Sequence, residues 1–288
     1  MKSTDLAYAA GYIDGDGCFT IANNLTYHVS IVSIHKENID WFHNKFEGTM
    51  SSRPPRDITR KEVFSFRFNV KGLSVLHELN KFLVEKKAEC DLITACMNVF
   101  LRKNKQHFYE EMKRLKHETN LIVRSMKTDL QSTPISITPS CEDFAYLAGF
   151  IDAECSLDIL KRKQPRGGQY SYVAQIQCNN TKFPFFKWAA ERFGGNFYFV
   201  NCSKYTNRRD QMIWRLRGKS CYPILKEVHQ FLNHKKQICQ ELLNLEKTEF
   251  IHKDRPSPNH PKFMEYFEPF RLEKESIYQK VCHLNNSI

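Results

Sequence analysis

The chain has 288 residues, 41% hydrophobic and 13% aromatic, enough for one large or two medium domains with a packed core, which excludes a disordered protein. Lys and Arg number 43 against 32 Asp and Glu, a formal net charge of +11 that points to a polyanionic partner, nucleic acid first. No run approaches the roughly 20 apolar residues of a membrane span, and a membrane partner is not expected.

The N-terminal stretch "MKSTDLAYAAGYIDGDG" lacks the apolar core, cleavage site and Arg/Ser bias of a targeting segment, so the protein is expected to act where it is made. It reads as a helix that ends on the carboxylates Asp14 and Asp16. Two strand-like runs follow, "CFTIAN" and "YHVSIVSI", then a helix ending in "KFEG", an alternating run "EVFSFRFNV" and a closing helix over "FLVEKKAEC". A further helical stretch, "KNKQHFYEEMKRLKHETNLIVRSM", leads to the Pro-containing linker "STPISITPS". The same order then returns: "YLAGFIDAEC", "CSLDILKRK", "YSYVAQIQ", a helix ending in "RFGG", "QMIWRLR" and "FLNHKKQIC". The polar turn "KRKQPRGGQYS" holds many of the extra residues of the second half. Past residue 250, "HKDRPSPNHP" is a Pro-rich turn and "MEYFEPFRLEKESIYQKVCHL" reads as packed helix.

The chain therefore divides into a first repeat (1–125), a linker (126–142), a second repeat (143–250) and a helical tail (251–288) without an evident job. The fold class is α/β in the α+β sense: two pseudo-symmetric α-β-β-α-β-β-α repeats. The ten cysteines are scattered, with no C-x-x-C pair and no zinc-ligand spacing, and read as buried, reduced thiols.

Carboxylates at the C-terminal end of a helix face the negative end of its dipole, so something must offset them, and a divalent cation held by carboxylate and backbone oxygens would. Ala7, Gly11 and Gly15, and Ala145, Gly149 and Ala153, recur every four residues and line one face of each helix. Two such faces pack closely and bring Asp16 beside Glu154. The plain alternative, core packing with Gly17 as a C-cap, fits one motif better than a matched pair. An aspartic-protease dyad would also pair two acids. These acids follow apolar helical runs instead, in a basic, lysine-repeating chain.

"AAGYIDGDG" and "LAGFIDAEC", with the ordered repeats around them, resemble the LAGLIDADG homing endonucleases in their single-chain, two-motif form, over about residues 5–250. The resemblance implies two saddle-shaped antiparallel sheets packed through the motif helices. It places the metal-binding acid on Asp16 and Glu154, with the carbonyls of Gly15 and Ala153, and a structural acid on Asp14 and Asp152. Two or three Mg²⁺ ions, replaceable by Mn²⁺, would activate water and neutralise charge at phosphorus. Lys86 and Lys235 match the catalytic lysine, with Lys87 and Lys236 as alternates and a solvated helix face as the plain reading. His35 and Asn179, after the second strand of each half, match a polar residue near the active-site water, or are surface and capping residues. Cys155 stands where the family has glycine, which tolerates positive φ, so the two helices are expected to end differently.

In "EVFSFRFNV", Phe64, Phe66, Phe68 and Val70 alternate with Val63, Ser65, Arg67 and Asn69; the first set is core and the second an open face. In "QMIWRLR", Met212, Trp214 and Leu216 are core, and Arg215 and Arg217 open. Steps of two from the acids add Thr20, Ala22 and Asn24, His28 and Ser30 on the returning strand, and Asp158, Leu160 and Arg162. Such faces suit the major groove, where Arg reads guanine and Asn adenine. Arg53, Arg56, Arg60 and Lys61 in one half, and Lys161, Lys163, Arg166, Lys204, Arg208 and Arg209 in the other, read as phosphate contacts. An eight-residue strand spans about 27 Å, or roughly eight base pairs per half.

The implied activity is cleavage of both strands of a long asymmetric DNA site across the minor groove, leaving short 3′ overhangs and promoting intron mobility. The protein would work as a monomer, without a protein partner or membrane, in a reducing intracellular compartment that holds DNA (a bacterial or archaeal cytoplasm or an organelle matrix). Intron RNA is the alternative partner, as for the maturases of the family, and a DNA-binding protein that has lost cleavage is a third reading.

Overall fold

Helix α1 (Ser3–Asp16) and helix α6 (Cys141–Glu154) form the axis of the computed structural model, which describes residues 1–24, 26–55, 60–99, 106–125, 135–164, 170–200, 210–250 and 263–287. They meet backbone to backbone. A Cβ on Gly11 would lie 1.9 Å from the Tyr146 carbonyl oxygen, and one on Gly149 would lie 2.0 Å from that of Tyr8. At Gly15 an added Cβ would meet Ala153 Cβ at 2.4 Å. The small-residue stripe is thus the seam between the halves, and each glycine is required by close approach rather than by its φ. Ser140 caps α6 in a reciprocal box with Asp143, so this helix opens two residues inside the expected linker range.

Each axial helix runs directly into an antiparallel sheet. In the first half β1 (Gly17–Ile21), β2 (Tyr27–Ser33), β3 (Gly48–Arg53) and β4 (Val63–Phe68) take the order β1-β2-β4-β3. In the second, β5 (Cys155–Lys163), β6 (Tyr170–Asn180), β7 (Asn196–Val200) and β8 (Gln211–Arg217) take the order β5-β6-β8-β7. Gly17 pairs with Ile31 and Cys155 with Cys178, so the registers coincide. The longer β5–β6 hairpin carries the extra polar residues of the second half, of which 165–169 lie outside the described residues.

Alternation sends Phe66 and Phe68, and Met212, Trp214 and Leu216, into the core as predicted. Phe64 is half-buried and Val70 is exposed, because β4 ends at Phe68. Helices α2 (Lys36–Lys45) and α7 (Pro184–Phe193) cover the inner faces. Trp41 of α2 meets Tyr8, and Trp188 of α7 meets Tyr146, both with ring centroids 4.5 Å apart. The turn after α7 needs Gly194 and Gly195 at φ +68° and +86°, and the Gly194 carbonyl accepts from Trp214 Nε1 at 2.8 Å.

The closing helix predicted over "FLVEKKAEC" is two pieces. A short helix α3 (Leu76–Leu79) ends before Phe82, residues 82–86 form a turn, and α4 (Lys87–Met97) begins with Lys86 as its N-cap. The second half repeats this with α8 (Cys221–Val228) and α9 (Lys236–Phe250). Helix α5 (Gln106–Ser125) then packs on α4 and the edge strand β1, burying Phe108 and Met112. The tail helix α10 (Phe263–Ser287) packs on α9 and the edge strand β5, burying Ile277 and Val281. The tail is therefore the second half's counterpart of α5. Among the described residues no helix is long and apolar enough to cross a membrane.

The reduced-thiol reading needs one correction: Cys155 and Cys178 form a disulfide between directly paired positions of β5 and β6, with Cα atoms 4.1 Å apart. Cys90, Cys96, Cys221 and Cys239 are buried free thiols, whereas Cys18 and Cys141 are exposed.

Candidate active site and nucleic-acid interface

The two motif acids do different work according to position. Asp14 is buried and faces the turn before α4, where its carboxylate accepts from the backbone N–H groups of Val84 (2.7 Å), Glu85 (3.0 Å) and Lys86 (2.8 Å). Asp152 accepts in the same way from Asn233 (2.7 Å) and Lys235 (3.1 Å) before α9. Each aspartate thus ties down the turn that leads into another helix. The bonds also cross the seam: Tyr146 donates to Asp14 at 2.7 Å and Tyr8 to Asp152 at 2.8 Å.

Lys86 and Lys235 answer the dipole problem that the sequence poses. The Lys86 ammonium donates to the carbonyls of Ile13 (2.7 Å), Asp14 (2.7 Å), Gly15 (3.0 Å) and Gly17 (2.8 Å). Lys235 donates to those of Ile151 (2.6 Å), Asp152 (3.2 Å) and Cys155 (2.7 Å). A cation at the C-terminal end of each axial helix is therefore a lysine of its own half. The solvated-face reading fails for both, since only the alternates Lys87 and Lys236 are exposed. Desolvation lowers the pKa of each buried ammonium, opposed by Asp14 for Lys86 and by Asp152, Asp16 and Glu154 for Lys235.

Asp16 and Glu154 remain at the ends of the paired helices, reaching solvent with carboxylates that no protein donor satisfies among the described residues. Glu154 Cγ lies 3.0 Å from where a Cβ of Gly15 would stand, so its side chain crosses the seam. Despite that exposure the Asp16 carboxyl is pushed up to about 7, by desolvation first and then by the charge of Glu154. Glu154 is raised by desolvation, with Lys86 and Lys235 opposing. Gly17 and Cys155 both follow at negative φ, −74° and −100°, so the two helices end alike and cysteine in place of glycine carries no backbone penalty.

These residues fit a hard divalent cation. The donors are oxygens, two carboxylates share the charge, and such ions complete their shells with water. The Gly15 carbonyl already accepts from Lys86, whereas no lysine bond falls on that of Ala153. Among the described residues no cluster of three or more His, Cys, Asp or Glu side chains offers a conventional metal cage.

His35 and Asn179 are not equivalent positions. Counting from the matched pairs Ile31 and Cys178, Asn179 corresponds to Val32, and His35 to Lys182. Asn179 stands on β6 with its Oδ1 buried and unpartnered. His35 caps the start of α2 and stacks on His234, ring centroids 4.0 Å apart. His234 is held neutral, pushed down to about 2 by desolvation, Lys235 and His35, so its 3.3 Å approach to Asp152 is not an ion pair. On the opposite side of the seam the same place holds buried Glu85, beside Asn180 at 3.3 Å, and a Lys182–Glu89 ion pair at 3.1 Å.

The open faces of both sheets spring directly from the acids. Thr20, His28, Ser30, Ser65 and Arg67 lie on the first, with Arg67 fully open. Ala22 and Asn24 fall beyond the end of β1, where Ala22 N–H donates to Thr26 O at 2.7 Å and Asn24 Oδ1 accepts from the Thr26 hydroxyl at 2.7 Å. Asn69 follows β4 and turns its Oδ1 back to Gly72 N–H at 2.7 Å. These three shape turns rather than a strand face. Val32, Thr49 and Ser51 extend the first face and were not foreseen. On the second face lie Asp158, Leu160, Arg162, Arg215 and Arg217, with Gln175 and Gln177, which sequence reasoning missed. Asp158 accepts from Asn285 of α10 at 2.9 Å. Lys161 is no phosphate contact: it points to the other side, pairs with Glu275 at 2.6 Å and packs among Tyr170, Tyr172 and Tyr278. Arg53, Arg60, Lys61 and Lys163 are exposed, while Arg56, Arg166, Lys204, Arg208 and Arg209 lie outside the described residues.

Solved structures share this architecture from end to end. The LAGLIDADG meganuclease I-AabMI bound to uncleaved DNA superposes with a TM-score of 0.57 at 18% identity, covering 94% of this chain and 98% of that one. The fold is the two-repeat LAGLIDADG fold. I-GzeII, a LAGLIDADG homing endonuclease in complex with its DNA target, gives 0.58 at 15% identity over 98% and 97% of the two chains. The meganuclease I-SmaMI, bound to uncleaveable DNA, gives 0.59 at 14% over 94% and 98%. No family model and no curated protein matches the sequence. In LAGLIDADG terms, the eighth-position acids are Asp16 and Glu154 and the sixth-position acids Asp14 and Asp152.

Proposed function

We propose that the chain is a site-specific, divalent-cation-dependent endonuclease that cuts both strands of double-stranded DNA. The observation that carries this reading is the pair of unsatisfied carboxylates, Asp16 and Glu154, at the meeting helix ends from which two open, arginine-bearing sheets depart. DNA lying along both sheets would pass directly over the acids. The DNA-bound structures I-AabMI and I-GzeII, which share the fold, support a duplex partner. I-SmaMI has been solved with DNA in the presence of calcium ions, which supports a divalent cation.

Each acid serves one strand, held by the axial helix of its own half. Mg²⁺, or Mn²⁺ in its place, would supply charge neutralisation at phosphorus and a water acidic enough to attack it. Asp16 and Glu154 would hold that cation. Lys86 and Lys235 fix the helix ends against their carbonyls and add positive potential beneath the scissile phosphates. Asn179, whose Oδ1 is buried and unpartnered, would orient a water in the second half; Val32 gives the first half no counterpart. The target is long and asymmetric, since the open faces differ at nearly every position, and one chain suffices because it holds both halves. Short 3′ overhangs, intron mobility and a DNA-containing intracellular compartment belong to the same reading.

The test is cleavage of a randomised duplex library with Mg²⁺, Ca²⁺ or EDTA, comparing the native chain with Asp16→Asn and Glu154→Gln. One long site, cut only by the native chain with Mg²⁺, is the expected result. Specific binding without cutting would mark a protein that has lost catalysis. Binding of intron RNA and not duplex DNA would replace the reading with a maturase.

A further inference from the structure

The arginines of the second sheet are tied into one unit. Arg215 donates through Nε (2.8 Å) and Nη2 (2.5 Å) to Gln177 Oε1. Arg217 Nε donates to Gln175 Oε1 at 2.7 Å, and Gln175 Nε2 donates on to Gln177 Oε1 at 3.4 Å. Gln177 pairs directly with Arg215, and Gln175 with Arg217, across β6 and β8. Gln175 is only 5% exposed although it belongs to the open face, because the arginines lie over it. Arg215 also stacks its guanidinium over the Tyr198 ring at 5.1 Å.

Among the described residues the first sheet has no such ladder. Arg67 occupies the place of Arg215, since it pairs with Ser30 as Arg215 pairs with Gln177. Its other neighbour across the strands is Thr49. Among the described residues no side chain is hydrogen-bonded to Arg67, and it projects freely from a floor of short hydroxyl side chains.

We propose that Gln175 and Gln177 are positioning residues that make Arg215 and Arg217 a coupled reader of two neighbouring base pairs, while Arg67 reads alone. The proposal rests on the DNA-cleaving function. Gln177 uses the Nε edge of Arg215 and leaves the opposite Nη edge, two donors, for guanine O6 and N7. Arg217 keeps both Nη groups. The two arginines are two residues apart on one strand, about 6.8 Å, which places their bases within two steps of each other. A wrong base under one arginine displaces it, releases its glutamine and loosens the other arginine. The second wrong base then costs less than it would alone. Base discrimination is therefore non-additive under the second half and additive under the first.

The experiment measures equilibrium binding of the full chain, in Ca²⁺, to the selected duplex and to all single and paired base substitutions beneath each sheet. The expected result is a pair under the second half whose combined loss is at least about fivefold smaller than the product of the single losses, against near-additivity under the first. Gln177→Ala should abolish that coupling and relax selectivity at both positions. Gln177→Glu, which keeps the acceptor, should restore the coupling. Additive losses under both halves, or equal coupling in both, would overturn the proposal while leaving the endonuclease standing. Absence of any sequence-specific duplex binding would overturn both. The base-pair series on the native chain decides even where a Gln177 variant fails to fold.

Discussion

The two halves of this protein agree where backbone meets backbone and part company where side chains look outward. Glycine against carbonyl, tyrosine to aspartate and lysine to helix end recur on both sides of the seam with nearly the same distances. A short distance away, the equivalent buttresses differ completely: a buried glutamate and a lysine ion pair on one side, two stacked neutral histidines on the other. Geometry that fixes the distance between two paired helix ends tolerates no drift, whereas any well-packed, satisfied pair will do as support.

The sharpest way to break the symmetric part is at the seam. Gly11→Ala and Gly149→Ala each drive a methyl into a carbonyl oxygen of the facing helix. Each should cost about 3 kcal/mol or more, at the upper end of overpacking penalties, and by similar amounts, read from urea unfolding. Markedly unequal losses would show that one helix yields and that the seam is not symmetric. Next come the lysines. Lys86→Met and Lys235→Met strand buried helix-end carbonyls and should each cost about 1–3 kcal/mol, with Lys86 the greater because it serves four acceptors against three.

The buttresses should separate by pH. His234 sits far below the ordinary histidine value, so the unfolded chain binds a proton that the folded chain refuses. Its share of stability is fully present above about pH 6.5 and falls by up to roughly 1.4 kcal/mol per unit below it. His234→Gln should flatten the acid limb of a Tm–pH profile between pH 6.5 and 4. An unchanged limb would refute a neutral buried imidazole.

The smallest effect expected is Asp16→Asn. A carboxyl raised to about 7 favours its protonated form, so the metal-free protein loses stability as pH rises from about 4 through 7. Allowing for solvent screening at an exposed side chain, the amide should raise the metal-free Tm at pH 8 by about 2 °C, the equivalent of roughly 1 kcal/mol, while abolishing cutting. A fall in Tm would mean that Asp16 supports the fold.

Much of this was legible in the sequence because it depends on local spacing. Glycine and alanine every fourth residue announced the seam, and strict alternation announced the buried Phe66, Phe68 and Trp214. Duplication turned each weak signal into a matched pair. What escaped depends on contacts between distant segments. Nothing local says that the ammonium of Lys86 turns back onto an axial helix some seventy residues earlier, or that the turn around it interrupts the helix. Asn69 and Asn24 share the parity of a reading face, yet strand ends released them to hold turns. Tyr8 and Tyr146 open the two motifs at the same place, and that repetition was the available clue to their crossed bonds. Gln175 and Gln177 carried no clue, since a glutamine on an alternating strand looks the same whether it orders an arginine or water.

The crossed tyrosines carry a practical consequence. Because the hydroxyl of Tyr8 completes the aspartate of the second motif, and that of Tyr146 the aspartate of the first, the parts are interchangeable. A first half paired with a copy of itself would still offer a tyrosine to every motif aspartate and a glycine to every facing carbonyl. The seam thus works as a standard coupling, through which halves with different open faces can be recombined, as long as the coupling itself is left untouched.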